Sequence, residues 1–596
     1  MKTRIFLFFS IAVIFCFVLL QYLGEYHFYY IEQYQLFRFS DLFIKSEIFQ
    51  INGLNNLITD FFLQFFGLHY VGAIFSSLCI GAIGILSVDV IRKTFNSSIF
   101  SCLMFLTSVA FIPLQLNNHF YLTGSFGFLT ALVLINLFCC KEGAAYGYIS
   151  LIVSVIFYVF FGPAAIFFST VIFIARFKLP KSNRLLGIYL ISPILILFVG
   201  IMLVRLGIVA NLKLALTPAL YYESLISAPI ILYMPYIIVY LGFIFGLVFD
   251  RKTVVKSVIV KIVSVVCLII FGTLFIAKDE MKNSLKEMRF KQLDYYTTKE
   301  DWNAIIENCR NGVDNFLYMN FLNLALLQEG KLGDEMFNYD QRGVISLWVP
   351  WNKESHVSTL LGEIALASGQ TSMAQRMFFE GEVSLKSSIS SRHLKQLIKI
   401  SISKGEYEVA NKYLLLLSQT LLYKDWVDKY RSIIEKEKLI SQEKRMAFQE
   451  KVNLSQEKGS NYISNDSLRS DSLFNDEPFF EFNDIISQNE ECDNKSVQFQ
   501  GAYLLLKKDL NGFKKLIERY YGTPALTVLP KSFQEGVIAY SETDPDYWKT
   551  YGVENDCISR FNKFKSLIRK QRDNDSAANS SYKSFGNTFW FFYMFK

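Results

Sequence analysis

The chain has 596 residues, 52% of them hydrophobic and 16% aromatic, with a formal net charge of +7. A mean hydropathy of +0.28 is too apolar for an ordinary soluble protein of this length. Residues 1–277 hold 17 Lys and Arg and 9 Asp and Glu, whereas the rest holds 43 and 44, so a sparse, positive membrane body precedes a dense, near-neutral soluble part.

A spanning helix needs about 20 apolar residues. Nine runs are candidates: 5–22, 69–91, 99–116, 121–140, 145–161, 163–175, 186–209, 229–249 and 257–277. The first follows Lys2 and Arg4 as a signal peptide would, but YLGEYHF offers no small-residue cleavage site, so it reads as an uncleaved anchor. The sixth is short and follows a tight Gly162-Pro163 link, so runs five and six also fit a re-entrant pair. With the N-terminus inside, cytoplasmic segments carry twelve Lys and Arg, and the outer loops carry only Arg38, Lys45, Arg205 and Lys213. That bias orients the bundle, and nine spans put everything from residue 278 onward outside. The long first outer loop, 23–68, contains FYYIEQYQLFRFSDLFIKSEIFQ and LNNLITDFFLQFFGLHY, which read as two amphipathic helices on the membrane surface, with Gly53 at the turn.

Residues 278–435 show helical spacing and an internal repeat. LLGEIALASGQTSMAQRMFFEG (360–381) and LIKISISKGEYEVANKYLLLL (397–417) lie 36 residues apart, and Gly-to-Ala spacing is five in both. Weaker copies surround Gly330, where Glu335 replaces the expected Ala, and Ala304. Residues 436–500 are polar and read as a long loop or mobile insertion. Helical signal returns over 501–596, which ends in the aromatic NTFWFFYMFK, expected to pack within its own domain. Of nine cysteines, only Cys309, Cys492 and Cys557 lie in the soluble part, with no CxxC spacing. No disulfide scaffold or zinc site is expected.

Two resemblances arise from these residues. The repeat resembles the tetratricopeptide pattern of stacked helical hairpins, with a small residue at the helix contact and Gly at the turn. Residues 1–277 resemble the membrane half of GT-C glycosyltransferases, which place an acidic residue in the first outer loop, followed by interfacial helices. The resemblance rests on topology and on Glu32, because Glu32-Gln33 stands where those enzymes carry Asp-Asp or Asp-Glu. The whole chain also looks like an uncharacterised family of multispanning bacterial membrane proteins, through YIEQYQLF, NGLNNLITDFFLQFFGL, LLLKKDL and NTFWFFYMF. The expected fold is therefore all-α: a polytopic membrane bundle of about nine spans followed by tetratricopeptide-like repeats.

The GT-C resemblance implies transfer of a sugar from a polyprenyl-phosphate donor at the outer face of a bacterial inner membrane. Such a reaction needs a base for the acceptor hydroxyl and donors or cations for the leaving phosphate. Glu32 is the candidate base, its pKa raised by aromatic neighbours, with Gln33 orienting it or binding sugar. Asp60, on the second surface helix, is the next carboxylate, and Glu25, Asp41 and Glu47 remain alternatives. His27, His69 and His119 all fall on the outer face, but spacing alone does not converge them, and no metal is assigned. His119 is the candidate substrate-facing imidazole. Arg205, inside an apolar run, is a candidate phosphate ligand; Lys213, Tyr221, Tyr222 and Glu223 follow in the next outer loop. Asp89 is explained by an ion pair with Arg92 or Lys93.

No Walker loop, dinucleotide glycine motif, HExxH or GxSxG is present, and no cofactor is expected. Membrane lipid, a polyprenyl-phosphate sugar donor and a protein held by the repeats are the expected partners; nucleic acid is not. The rival reading is a non-enzymatic, membrane-anchored repeat scaffold that binds an envelope protein.

Overall fold

The computed structural model describes residues 2–95, 104–141, 143–176, 183–224, 226–249, 272, 274–313, 315–385, 389–439, 494–571 and 574–596. Most of the ninth apolar run and most of the polar stretch 436–500 lie outside these residues. The described residues are helices joined by turns, with two isolated β-bridges and no sheet. They form two compact units, one of Met1–Lys291 with Gln419–Tyr423 and one of Gln292–Ser418 with Lys424–Lys596.

Among the described residues of the first unit, three helices are long and apolar enough to cross a membrane: Ser10–Gln33, Val71–Phe95 and Leu186–Arg205. The first lies within α1 (Lys2–Gln33). No proline interrupts α1, and Gly24 sits against Leu116 where a side chain would not fit. The helix therefore runs through the aromatic stretch, and Glu32 and Gln33 occupy its last turn. This corrects the expected surface helix around them. The surface helices are shorter: α2 (Asp41–Ile48), capped by the Ser40 hydroxyl, and α3 (Gly53–Leu63). Asn52, with φ +66°, reverses the chain between them. A Cβ at Gly53 would lie 1.8 Å from the Glu47 carbonyl oxygen. Gly53→Ala must push the two helices apart and is expected to cost about 2 kcal/mol or more, read as a lower thermal midpoint in detergent. An unchanged midpoint would remove the close-approach argument.

The bundle continues through α4 (Val71–Phe95), α5 (Leu106–Leu116), α6 (Leu122–Phe138), α7 (Ala144–Phe161), α8 (Ala164–Arg176), α9 (Asn183–Arg205), α10 (Leu212–Leu216) and α11 (Met234–Phe249). Hydrogen bonds define its two ends. At one, Asn52 N donates to Val159 O, Asn55 Nδ2 to Thr123 O, and the Tyr221 hydroxyl to Phe161 O. At the other, Lys93 pairs with Asp89 and reaches Asn136, and Arg176 donates to Phe138 O. Gly162, at the α7–α8 tip, adjoins Asn52. Both helices thus run from one end of the bundle to the other. Glu32, Asp60, His119, Arg205, Lys213 and Tyr222 belong to the Asn52 end.

The second unit opens with α12 (Met288–Thr298), which begins in the first unit, then α13 (Trp302–Cys309), α14 (Phe316–Gln328) and the single turn α15 (Leu332–Glu335). The two strong repeats are hairpins, α16 (Ser355–Ala367) with α17 (Thr371–Val383), and α18 (Ser391–Ser403) with α19 (Tyr407–Ser418). Their turns close at Gly369 and Gly405, with φ +82° and +75°, where only glycine is unstrained. Ala374 and Ala410 are fully buried, as close helix contact requires. The weaker copy keeps its turn glycine, Gly330, at φ +70°, but its second helix stops after one turn. Helices α20 (Asn494–Lys507), α21 (Leu510–Tyr520), α22 (Lys531–Tyr540), α23 (Pro545–Thr550), α24 (Asn555–Ile568), α25 (Asn574–Phe585) and α26 (Phe589–Phe595) complete the unit. The aromatic tail is buried within it: Glu535 accepts from Phe589 N at 2.6 Å, and Trp590 Nε1 donates to Glu535 O at 2.8 Å.

Candidate functional site

Two polar clusters stand at the Asn52 end of the first unit. The first surrounds Glu32, which the last turn of α1 holds in the interior, 6% exposed. Its Oε1 accepts a hydrogen bond from the Tyr423 hydroxyl. A Cβ at Gly67 would lie 3.3 Å from Oε2, so the turn before α4 closes over the carboxylate. Tyr423 arrives on the segment Gln419–Tyr423, where Gln419 O accepts from Phe39 N at 2.7 Å. Gln33 is buried beside Glu32. Arg38 lies over the Phe43 ring at 4.8 Å and is drawn toward Glu47.

The second cluster is built on a short antiparallel pairing. Tyr121 N donates to Tyr221 O, and Glu223 N to His119 O, with Phe120 opposite Tyr222. This pairing brings the His119 and Tyr222 rings to 6.1 Å and lets the Tyr121 hydroxyl donate to Glu223 at 2.8 Å. Asn117 Oδ1 accepts from His119 N at 2.8 Å, and its amide donates to Glu280 at 2.5 Å. Asn118 donates to Glu287 at 2.8 Å. Burial pushes the Tyr222 phenol up to about 12; Asn117 opposes this, and Glu280, Glu287 and Glu223 add to it. The phenol therefore stays protonated near neutrality, and it donates to Asn117 Oδ1 at 3.5 Å.

Beneath this surface lies Lys291, which is fully buried. Its Nζ is 2.9 Å from His27 Nδ1 and 3.0 Å from Leu116 O. Burial lowers its pKa to about 7 although Glu287 acts to raise it, so the amine changes charge near neutral pH. Glu280 lies on the helix before residue 287, Glu287 at the turn and Lys291 on α12, and all three meet the 116–118 loop.

The sequence candidates are thus divided. His119 and Tyr222 come together, joined by Glu223. Glu32 and Gln33 sit with Tyr423 and Gly67. Asp60 is half-buried on α3, and Arg205 and Lys213 are exposed. The outer-face histidines go to separate partners: His27 to Lys291, His69 to Glu25 at 3.7 Å, His119 to Tyr222. No group of three or more His, Cys, Asp or Glu among the described residues is arranged to hold a metal. Sequence reasoning missed Lys291, Glu280, Glu287, Asn117, Asn118, Tyr121 and Tyr423. The turn at Glu287 breaks any helical spacing among Glu280, Glu287 and Lys291, and Tyr423 left no local signal.

These features define a protein whose described residues are helical, with three helices among them long and apolar enough to cross a membrane. The chain belongs to the family of unknown function DUF6057, which it matches over residues 1–596. No curated protein and no solved structure matches it.

Proposed function

We propose that this protein is a multi-pass membrane transferase of the GT-C kind. It takes a sugar from a polyprenyl-phosphate donor at the outer face of a bacterial inner membrane. The observation that carries this reading is Glu32, a buried carboxylate on the last turn of the first membrane-crossing helix, followed directly by two short surface helices. A buried carboxylate that accepts from the Tyr423 phenol is suited to take a proton from an acceptor hydroxyl. Gln33 would orient it or bind sugar, with Asp60 the next carboxylate. His119, beside Tyr222 and Glu223, supplies a second acid–base group at the same end, and the exposed Arg205 and Lys213 would meet the donor phosphate. The cytoplasmic charge excess puts this end outside. The tetratricopeptide-like hairpins would hold the acceptor.

The test is the envelope glycan profile of a deletion strain that expresses wild type or Glu32→Gln at equal level. The substitution keeps the shape and removes the base. Transfer is expected to fall on the order of 100-fold or more, with the thermal midpoint near wild type. A full glycan profile with Glu32→Gln would sink the transferase reading.

The scaffold reading is favoured by one observation, an open groove of about 570 Å³ in the second unit, lined by Lys399, Lys404, Tyr407, Tyr430 and Ile433 among others. A scaffold would keep its partner in the Glu32→Gln strain and lose it with Tyr407→Ala and Tyr430→Ala.

A further inference from the structure

Three cations at the Asn52 end are left without protein partners. The side chains of Lys45, Arg205 and Lys213 are exposed and make no hydrogen bond or ion pair with any described residue. Each stands among exposed apolar side chains. On α2, which buries no residue, Leu42 and Phe49 are 83% and 88% exposed, and they flank Lys45 at helical spacing. Arg205 and Lys213 bracket a tight reversal. Gly207 takes φ +71°, and Leu206, Ile208 and Leu212 project with Leu206 66% exposed.

The two wedges stand at the same end of the bundle. Val159 O accepts from Asn52 N, at the foot of α2, and the adjacent Tyr158 hydroxyl donates to Ala215 O on α10 at 2.9 Å. A Cβ at Gly200 would lie 2.4 Å from Leu216, so α10 folds back along α9 and keeps Lys213 near the level of Arg205. No Asp or Glu occurs between residues 201 and 222. Asp41 and Glu47 are the acids on α2, and Glu47 is drawn to Arg38.

Unpaired cations are costly in an apolar setting unless an anion meets them. Water alone does not explain large apolar side chains displayed around each cation. A bilayer surface supplies both needs, because acyl chains take the Leu, Ile and Phe side chains and phosphates take the charges.

We propose that Lys45, Arg205 and Lys213 form a binding surface for the headgroups of anionic phospholipids, seated in the leaflet by Leu42, Phe49, Leu206, Ile208 and Leu212. This does not depend on the transferase reading. The surface recognises bulk phosphate lipid and holds the Asn52 end at headgroup depth.

The test uses full-length protein in nanodiscs of mixed phosphatidylcholine and phosphatidylglycerol, released into native mass spectrometry, with polyprenyl phosphate as a separate added probe. Wild type should retain phosphatidylglycerol over phosphatidylcholine. Each cation-to-Gln change should lower that preference about fivefold, and the charge-keeping set Lys45→Arg, Arg205→Lys and Lys213→Arg should restore it. If the triple Gln variant keeps its phosphatidylglycerol preference, the proposal is wrong. It is equally wrong if that variant loses only polyprenyl phosphate; the cations then serve a donor, and the transferase reading stands. The rescue set separates loss of charge from misfolding.

Discussion

Lys291→Ala is expected to cost the first unit about 3 kcal/mol, through the cavity left by a fully buried side chain and the unpaired Leu116 carbonyl and His27 nitrogen. The pH dependence is the sharper result. Burial lowers the folded pKa to about 7, whereas an unfolded lysine titrates near 10.4. Below pH 7 both states carry the proton and the burial penalty is complete. From pH 7 to about 10.4 the unfolded chain holds a proton that the folded chain has released. Stability therefore rises with pH, by at most ~1.4 kcal/mol per unit, and levels off above. Hydrogen exchange of peptides covering 116–124 and 280–291, corrected for intrinsic rate, would read this as rising protection. Lys291→Met should abolish the rise, since it fills the space and does not titrate. A rise that survives in the methionine variant would assign the effect to another group.

The second unit is expected to respond in the opposite direction. Glu382, at the junction of the two strong hairpins, accepts Ser390 N on both oxygens and lies 3.7 Å from His393 Nδ1. Burial raises its pKa to about 8, with the Ser390 amide opposing. Burial and then Arg392 push His393 down to about 3, so this imidazole is neutral, with Nε2 2.7 Å from the Thr359 hydroxyl. The folded pKa of Glu382 lies above its unfolded value near 4.3. Its contribution is thus complete below pH 4.3 and lost as pH rises to about 8, again at no more than ~1.4 kcal/mol per unit. Glu535, buried and raised to about 7, acts in the same direction. Glu382→Gln should flatten part of the alkaline loss in protection of 355–403, and the double variant with Glu535→Gln should flatten most of the loss across the unit. If both variants soften between pH 5 and 8 as wild type does, these carboxyls are not the cause.

What the sequence revealed follows how local the physics is. The hairpins around Gly369 and Gly405 were legible because a left-handed turn and a buried small residue leave fixed offsets in one chain. The weak copy at Gly330 kept the turn signal and lost the helix, since Glu335 gives α15 no apolar face to extend. The shorter α2 was not legible: the aromatic run through Tyr34 has no breaker, and only packing decides that α1 continues to Gln33. Away from the site, the ion pair of Asp89 with Lys93 was plain from spacing, whereas the nearness of His119 to Tyr222 comes from a pairing of two loops distant in sequence and was not legible. Lys291 looked like one lysine in a charged helix, because its burial depends on a loop 175 residues earlier.

The Tyr423–Glu32 hydrogen bond spans 391 residues of sequence. The first unit is therefore not complete in the part of the chain made first. At roughly 5–20 residues per second, the ribosome adds Tyr423 roughly 20–80 s after Glu32. Throughout that interval the membrane helices can be inserted while the carboxylate waits without its phenol. A chain cut anywhere before residue 423 never acquires that partner, so separating the units by truncation alters the very site left behind. Severing them cleanly requires supplying Gln419–Tyr423 in trans.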